Sequence, residues 1–96
     1  MTPEGKVKKM VKEWLDEIGA YHFWPVPTGY GKRTLDCLVG YKGFFVAIET
    51  KRAKKDLTPF QKNTRTEIQE AGNPVLRIRD ELELAEAKSY FKVFLN

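Results

Sequence analysis

Apolar residues recur at spacings of three and four in the first twenty positions, which predicts an amphipathic helix. Thr2 and Pro3 are typical of a helix N-cap and a first helical position, and Gly19 is typical of a helix end. The apolar stripe consists of Val7, Met10, Val11, Trp14, Leu15 and Ile18. This segment is therefore predicted to pack on the rest of the chain through one face.

Two apolar runs in the middle of the chain, Leu35–Val39 and Phe44–Ile48, predict the two strands of a β-hairpin. If Lys42-Gly43 forms a two-residue turn, each pair of facing residues has numbers that sum to 85. In that register Asp36 faces Glu49, with Cβ atoms roughly 5 Å apart on one face of the sheet.

A second register stays open because lysine is a poor residue for a turn that needs positive φ at both central positions. A turn at Tyr41-Lys42 would place Asp36 opposite Ala47. Asp36 would still lie on the face of Glu49, one diagonal step away.

The remaining pattern predicts an α/β fold. A short strand, Tyr21–Val26, contains Pro25 and is expected to lie at a sheet edge or to end early, and Pro27–Arg33 is expected to be a loop. Three further elements follow: a helix from Thr58-Pro59 to Ala71 closed by Gly72, a strand from Pro74 to Arg79, and a helix capped by Asp80 that runs through Leu84, Ala87, Phe91 and Phe94.

The element order is helix, three strands, helix, strand and helix, an αβββαβ core with an additional C-terminal helix. Because the second helix crosses over between two strands, those strands are predicted to be parallel within a mixed sheet of about four strands, flanked by helices. The length of 96 residues corresponds to a single domain, residues 1–96.

Composition narrows the class of protein. The chain is 42% hydrophobic and 31% charged, as in ordinary soluble globular proteins. It has one cysteine, Cys37, which is expected to be a small buried hydrophobe, so a disulfide framework is excluded. There is no apolar run of roughly 20 residues and no signal-peptide core in Met1–Lys6, so we expect no membrane association and a cytoplasmic location. The net charge of +4 is compatible with a polyanion partner.

The Asp36–Glu49 pair is the strongest chemical signal. Two carboxylates this close oppose folding unless a cation lies between them, and a divalent metal with oxygen ligands would satisfy both. Two simpler interpretations remain open: Asp36 could face solvent on an edge strand, and Glu49 could mark the polar end of a strand.

Lys51 shares a strand face with Glu49, so it could position a water molecule or stabilise charge on a phosphoryl group. It could also belong only to the basic run that it begins. Basic residues near this predicted site favour phosphate contacts over a merely solvated surface. The candidates are Lys32, Arg33, Arg52, Lys54, Lys55 and Lys62.

Three further polar residues have competing interpretations. Glu4 lies on the apolar stripe of the first helix and could reach the site through a water on the metal, although an acid also suits a first helical turn. Gln61 could join the site, but Thr58 and Gln61 match a capping box. His22 is the only histidine and is predicted to be structural, since no histidine-based metal cluster is possible.

The stretch from Thr34 to Asp80 resembles the VRR-NUC branch of the PD-(D/E)XK nuclease superfamily. The matching features are Asp36, the strand that ends in Ile48-Glu49-Thr50-Lys51, the segment Leu57–Gln61, Ala71-Gly72, the strand Val75–Arg79, and the first helix with Glu4 and Gly19. The resemblance covers nearly the whole chain and is closest to minimal, stand-alone members of the kind found in phages. One departure is Leu35, where the family usually has proline.

The resemblance implies a restriction-endonuclease-like fold in which Asp36, Glu49 and the Thr50 carbonyl bind Mg²⁺ or Mn²⁺, with no organic cofactor. It implies that Lys51 is the catalytic lysine and that Gln61 and Glu4 also belong to the site. Stand-alone members resemble homodimeric Holliday-junction resolvases, so the expected function is a structure-specific DNA endonuclease acting on branched DNA. If the protein is encoded by a phage, it would act in the bacterial host cytoplasm.

Two other functions remain open. The chain could be a catalytically silent DNA-binding module of the same fold. It could also be a sequence-specific restriction-type endonuclease, although 96 residues leave little room for a recognition domain.

Overall fold

The computed structural model describes residues 1–26 and 31–96. The first four residues of the loop predicted for Pro27–Arg33 lie outside this part of the chain. No helix within it is long and apolar enough to cross a bilayer. Its elements are α1 (Pro3–Glu17), β1 (Tyr21–Phe23), β2 (Cys37–Tyr41), β3 (Phe44–Thr50), α2 (Pro59–Glu70), β4 (Val75–Ile78) and α3 (Glu81–Phe94).

The four strands form one mixed sheet in the order β1-β2-β3-β4. The first three strands are antiparallel neighbours, whereas β3 and β4 are parallel and paired from Ala47↔Val75 to Thr50↔Ile78. Helix α2 makes the crossover between these parallel strands. The predicted α/β architecture, including the parallel pair, is confirmed.

The hairpin register is the one set by a Lys42-Gly43 turn. Tyr41 pairs with Phe44, and the ladder ends at Cys37↔Ile48. Lys42 and Gly43 both have positive φ, 50° and 86°, as a primed hairpin turn requires. Lys42 Nζ also donates to Asn96 Oδ1 at 2.7 Å. That contact at the end of the chain helps to offset the left-handed conformation of a non-glycine residue.

Two of the strand boundaries that differ from the predicted ones bear on the site. Strand β1 ends at Phe23 because Pro25 lacks an N–H for the ladder, which fits the expectation of an edge strand that ends early. Strand β2 begins at Cys37, so Asp36 lies just before the strand, at a bend, and not within it.

One face of the sheet carries the main hydrophobic core. Alternate residues of β2, β3 and β4 meet the apolar stripes of α1 and α3 there, and the rings of Trp14 and Phe91 pack edge to face at 4.7 Å. Along each strand, successive side chains point to opposite faces of the sheet. Glu49 therefore belongs to the other face, together with Ala47 and Phe45.

That second face is only partly covered. None of the residues of α2 is fully buried. Toward β1 the face presents an apolar depression lined by Tyr21, Phe23, Leu38, Val39, Gly40 and Phe45. Tyr21 and Phe23 are 73% and 53% exposed. The second face thus combines a buried acid at one end of β3 with an open apolar surface at the other.

The hairpin turn provides a test of the fold. Asparagine adopts positive φ more readily than lysine, so Lys42→Asn should stabilise the protein by about 0.5–1 kcal/mol. Lys42→Ala is the matched control, since it removes the contact with Asn96 and keeps the unfavourable φ; it should destabilise. Urea unfolding measures both. A Lys42→Asn variant no more stable than Lys42→Ala would contradict the turn assignment.

Candidate active site

Glu49 lies near the C-terminal end of the central strand β3 and is 1% exposed. Its Oε1 accepts a hydrogen bond of 2.8 Å from the backbone N–H of Asp36. Its Oε2 accepts one from Gln61 Nε2 and lies 3.8 Å from Lys51 Nζ. A buried carboxylate is costly unless it is hydrogen-bonded and paired, and here three different segments provide the partners.

Asp36 is held by the same end of β3, but by a contact that strand alternation does not predict. Its Oδ2 accepts hydrogen bonds from the Thr50 N–H at 3.2 Å and from Thr50 Oγ1 at 2.6 Å. The two carboxylates therefore do not form the regular cross-strand pair that the hairpin register predicted. Because Asp36 lies beyond the last ladder pair, its carboxylate can turn toward Thr50, while its backbone binds Glu49.

The two acids are nevertheless brought together. The negative charge of Asp36 is one of the causes that raise the pKa of Glu49, so the carboxylates interact directly through space. Thr50 was expected to contribute its carbonyl oxygen to a metal site. What the structure adds is a second role for Thr50, as the residue that orients Asp36 through its amide and hydroxyl.

Lys51 follows β3 immediately and is largely shielded from solvent. Its side chain is 16% exposed, with Nζ 3.8 Å from Glu49 Oε2. The lysines later in the same basic run, Lys54 and Lys55, are exposed. Lys51 is therefore distinguished from the rest of the run by its burial against an acid, as its shared strand face with Glu49 predicts.

Both interpretations of Gln61 hold at once. Its backbone N–H donates to Thr58 Oγ1 at 3.3 Å, and its side-chain Oε1 accepts from the Thr58 N–H at 2.9 Å, which completes a capping box. The other end of the same amide, Nε2, donates to Glu49. The cap therefore fixes the orientation of the amide and points its donor at the carboxylate.

Glu4 lies at the margin of this group. Its side chain is 42% exposed and lies 4.0 Å from Lys8 Nζ. Its position on the apolar stripe of α1 therefore does not bury it. Position N2 of a helix leaves an acid free to turn toward solvent. The negative charge of Glu4 is the smallest of the causes that affect the pKa of Glu49.

The electrostatics of the site are dominated by Glu49. Its pKa is raised from an ordinary value of 4.5 to about 7, mainly by burial and to a smaller extent by the negative charges of Asp36 and Glu4. The Asp36 N–H and the Lys51 ammonium act in the opposite direction and do not fully compensate. The site thus holds more negative charge than its own cations balance.

This donor set of carboxylate oxygens fits a Mg²⁺ or Mn²⁺ ion better than a metal such as Zn²⁺ that is held by several His or Cys ligands. Within residues 1–26 and 31–96, no group of three or more His, Cys, Asp or Glu side chains is arranged to hold a metal. Mg²⁺ commonly uses only one or two protein carboxylates and keeps several waters. Asp36 and Glu49 would supply two such carboxylates.

The basic residues expected to contact DNA surround this site on two sides. Lys32 Nζ pairs with Glu67 at 2.6 Å, and the guanidinium of Arg33 lies 5.1 Å from the ring centroid of Phe60. After β3, Lys55 N–H bonds to the Arg52 carbonyl in a turn that holds Lys54 at a φ of 68°. Lys62 lies 3.5 Å from Asp56.

A neighbouring ion-pair network was not predicted from the sequence. Arg77 donates to Asp56 at 2.7 Å and to Glu83 at 3.1 Å, and it holds the pKa of Asp56 well below its ordinary range. Glu83 also accepts two bonds from the Arg79 guanidinium and one from the Arg79 backbone N–H, while Arg79 Nη1 donates to the Lys55 carbonyl. The only sequence signal was Arg77 on the strand parallel to β3. The network ties the basic turn to the sheet edge.

Two residues predicted to be structural lie outside the site. His22 accepts from Trp24 Nε1 at 2.9 Å through Nδ1, which leaves Nε2 to donate to Asp16 at 2.7 Å. Cys37 is fully buried, and burial raises the pKa of its thiol to about 12. The interpretation of Cys37 as a small buried hydrophobe is confirmed.

Comparison with solved structures relates this arrangement to a known fold. A structure titled "VRR_NUC domain" aligns with a TM-score of 0.78 over 98% of this chain and 99% of that chain, at 20% sequence identity. No protein-family model matches the chain, and no curated protein sequence does. The predicted fold, a three-helix, four-stranded α/β domain like that of VRR-NUC nucleases with a C-terminal helix, is therefore confirmed.

The pKa of Glu49 makes stability depend on pH. The native state retains a proton that the unfolded chain releases between pH 4.5 and pH 7, so this group's contribution lowers stability as pH rises through that window. In metal-free protein, Glu49→Gln removes this ionisation, so it should flatten the pH profile and reduce the stability lost between pH 4 and pH 8 by about 1–3 kcal/mol. Glu86→Gln, at an exposed position on α3, is the control and should change neither.

Thermal unfolding in a chelator at several pH values measures this difference. A Glu49→Gln variant whose stability falls with pH as steeply as that of the parent protein would contradict the raised pKa of this buried carboxylate.

Proposed function

We propose that this protein is a metal-dependent DNA endonuclease. The observation that carries the proposal is the convergence of Asp36, Glu49 and Lys51 at one end of the central strand, with Lys51 Nζ 3.8 Å from the buried Glu49. An under-compensated carboxylate pair beside a shielded lysine suits hydrolysis of a phosphodiester. The similarity to the VRR_NUC domain fold supports this choice over other carboxylate chemistry.

Asp36, Glu49 and the Thr50 carbonyl are the residues proposed to hold Mg²⁺ or Mn²⁺. When bound there, the ion would act as a Lewis acid on a phosphate oxygen and lower the pKa of water. Thr50 and Gln61 keep the two carboxylates in place, since each donates to one of them. That preorganisation spares the site the cost of ordering its acids during the reaction.

Lys51 is proposed to act on the reacting phosphate. Its ammonium can donate a hydrogen bond to an attacking water or to a phosphoryl oxygen that gains negative charge. Its contact with Glu49 and its low exposure hold it near the carboxylates instead of in bulk solvent. A shielded cation stabilises developing charge more strongly than an exposed one does.

The flanking cations support DNA as the substrate. Lys32 and Arg33 lie along one side of α2, and the turn Arg52–Lys55 follows the catalytic lysine. Asp56 and Arg79 anchor that turn, so its basic side chains project from a fixed backbone. Contacts of this kind position a nucleic-acid backbone without reading its sequence.

We further propose branched DNA, such as a four-way junction, as the substrate and a homodimer as the active form. Two cuts at a branch require two sites, which a two-fold dimer supplies. The open apolar surface of Tyr21, Phe23, Leu38 and Phe45 is the surface proposed for the second copy. Phe45 and Glu49 are four residues apart on β3, about 13 Å, so this contact would bring the two sites near each other.

The catalytic assignment predicts that Glu49→Gln and Lys51→Met each lower kcat/KM by about 10²–10³-fold, because each removes a group that acts on the reacting phosphate. Glu86→Gln is the matched control and should retain the parent activity. The assay uses a four-way junction, a flap and a linear duplex, each with Mg²⁺, with Mn²⁺ and with chelator.

Metal-dependent cleavage that survives Glu49→Gln unchanged would refute the site. If the parent protein cuts none of these substrates but binds the junction, the chain is a silent DNA-binding module. Cleavage confined to one sequence in linear duplex would identify a restriction-type enzyme.

The dimer proposal predicts that light scattering gives twice the 11.1-kDa mass of the chain. Tyr21→Lys and Phe45→Glu should shift the protein to monomer, since each places a charge in the apolar surface. Leu82→Lys is the control because Leu82 is similarly exposed, at 67%, but belongs to α3. A protein that is monomeric without substitution, at the concentrations used for cleavage, would refute the dimer.

A further inference from the structure

An exposed aromatic ring immediately precedes the residue that binds the Glu49 carboxylate. Phe60, in the first turn of α2, is 68% exposed. The next residue along the chain, Gln61, donates a hydrogen bond to the buried carboxylate of Glu49. Phe60 therefore presents an apolar ring to solvent in the same helical turn that binds Glu49.

A guanidinium lies over this ring. Arg33 is 5.1 Å from the ring centroid of Phe60, and its neighbour Lys32 pairs with Glu67 at 2.6 Å. Phe60 and Glu67 are seven residues apart, about two helical turns, and so lie on the same side of α2. The segment that contains Lys32 and Arg33 therefore runs along this side of the helix.

The same segment leads into the site. Arg33 precedes Asp36 by three residues, so their Cα atoms are at most about 11 Å apart. The position of the ring is thus linked to Glu49 through the hydrogen bond of Gln61. The position of the guanidinium is linked to Asp36 by the short stretch of chain between them. Neither link depends on a buried contact of the ring itself.

We propose that Phe60 and Arg33 form a stacking site for an unpaired nucleobase of the DNA next to the cleaved phosphate. This rests on the proposed nuclease function and identifies a feature by which the site would select branched DNA that carries an unpaired base, such as a flap. In a continuous duplex both faces of each base are covered by its neighbours. A base at a branch point or flap has a free face, which can stack on an aromatic ring and on a guanidinium.

A purely structural role for the ring makes a different prediction. If Phe60 only holds Arg33 in place, its loss affects all DNA substrates alike. If it receives a base, its loss affects only substrates with an unpaired base. Phe60→Leu removes the aromatic face and keeps an apolar side chain, while Phe60→Trp keeps an aromatic face. Because Phe60 is mostly exposed, neither change removes core packing.

The matched control is Phe94→Leu. Phe94 is 65% exposed at the C-terminal end of α3. That end of the chain contacts the Lys42 turn through Asn96. The turn lies at the opposite end of β3 from Glu49, so this control removes an equally exposed ring that is remote from the site.

The first measurement is cleavage of a flap and of a linear duplex with the same sequence around the cut. Phe60→Leu should lower kcat/KM for the flap by about 5- to 150-fold, the range for loss of one base–aromatic stack, and leave the duplex rate within twofold. Phe60→Trp and Phe94→Leu should behave like the parent protein. Equal losses on both substrates, or no loss on the flap, would overturn the proposal.

The second measurement does not require cleavage. A flap with 2-aminopurine at its first unpaired position is titrated with metal-free protein in chelator. The parent protein and Phe60→Trp should change the emission of the base, whereas Phe60→Leu should bind without that change. Binding by Phe60→Leu with the full change in emission would overturn the stacking site. Absence of cleavage by the parent protein would overturn the nuclease proposal alone, since the titration tests stacking separately.

Discussion

The buried carboxylate of Glu49 is the constraint on which this end of the protein depends. An unpaired charge at 1% exposure would not be tolerated, so its partners are fixed by necessity. They come from three places: the backbone N–H before β2, the first turn of α2, and the lysine after β3. Each partner therefore ties a different segment to the central strand, and the geometry of the site is inseparable from the folding of that region.

The compensation of this charge is incomplete, and a neighbouring network helps to explain why. Arg77 is the residue paired with Glu49 in the parallel ladder and shares its face of the sheet. Its guanidinium is bonded instead to Asp56 and Glu83. An arginine bound to Glu49 would lower the pKa of that acid and fill the space beside it. The network thus keeps that guanidinium from neutralising Glu49, which leaves the carboxylate available for the proposed metal site.

Local rules predicted most of the scaffold. Capping residues and apolar periodicity identify the helices. The hairpin pattern left two registers open, and both placed Asp36 on the face of Glu49; the structure has the register of the Lys42-Gly43 turn. The crossover helix predicts the parallel pair. These features are encoded within a few residues of where they act, so a single sequence is enough to read them.

What could not be predicted depends on contacts between distant segments. Strand alternation places Thr50 away from Asp36, and only the bend before β2 lets the two side chains meet. The links from Asp56 to Arg77 and from Arg79 to Lys55 join residues more than twenty positions apart. The half-exposed position of Glu4 also depends on tertiary context, because helical periodicity fixes the direction of its Cβ and not the path of a flexible side chain.

Helix α2 illustrates how little burial is needed to place a functional group. Its inward side consists of Gln61, Thr64, Arg65 and Ile68, all only partly buried, so packing alone provides weak orientation. The capping box and the bond from Gln61 to Glu49 fix its first turn instead. The position of that turn, and of the exposed Phe60 ring within it, is therefore set by the same carboxylate that is proposed to bind the metal. In this chain of 96 residues, recognition of an unpaired base and binding of the metal would then both depend on the position of the Glu49 carboxylate.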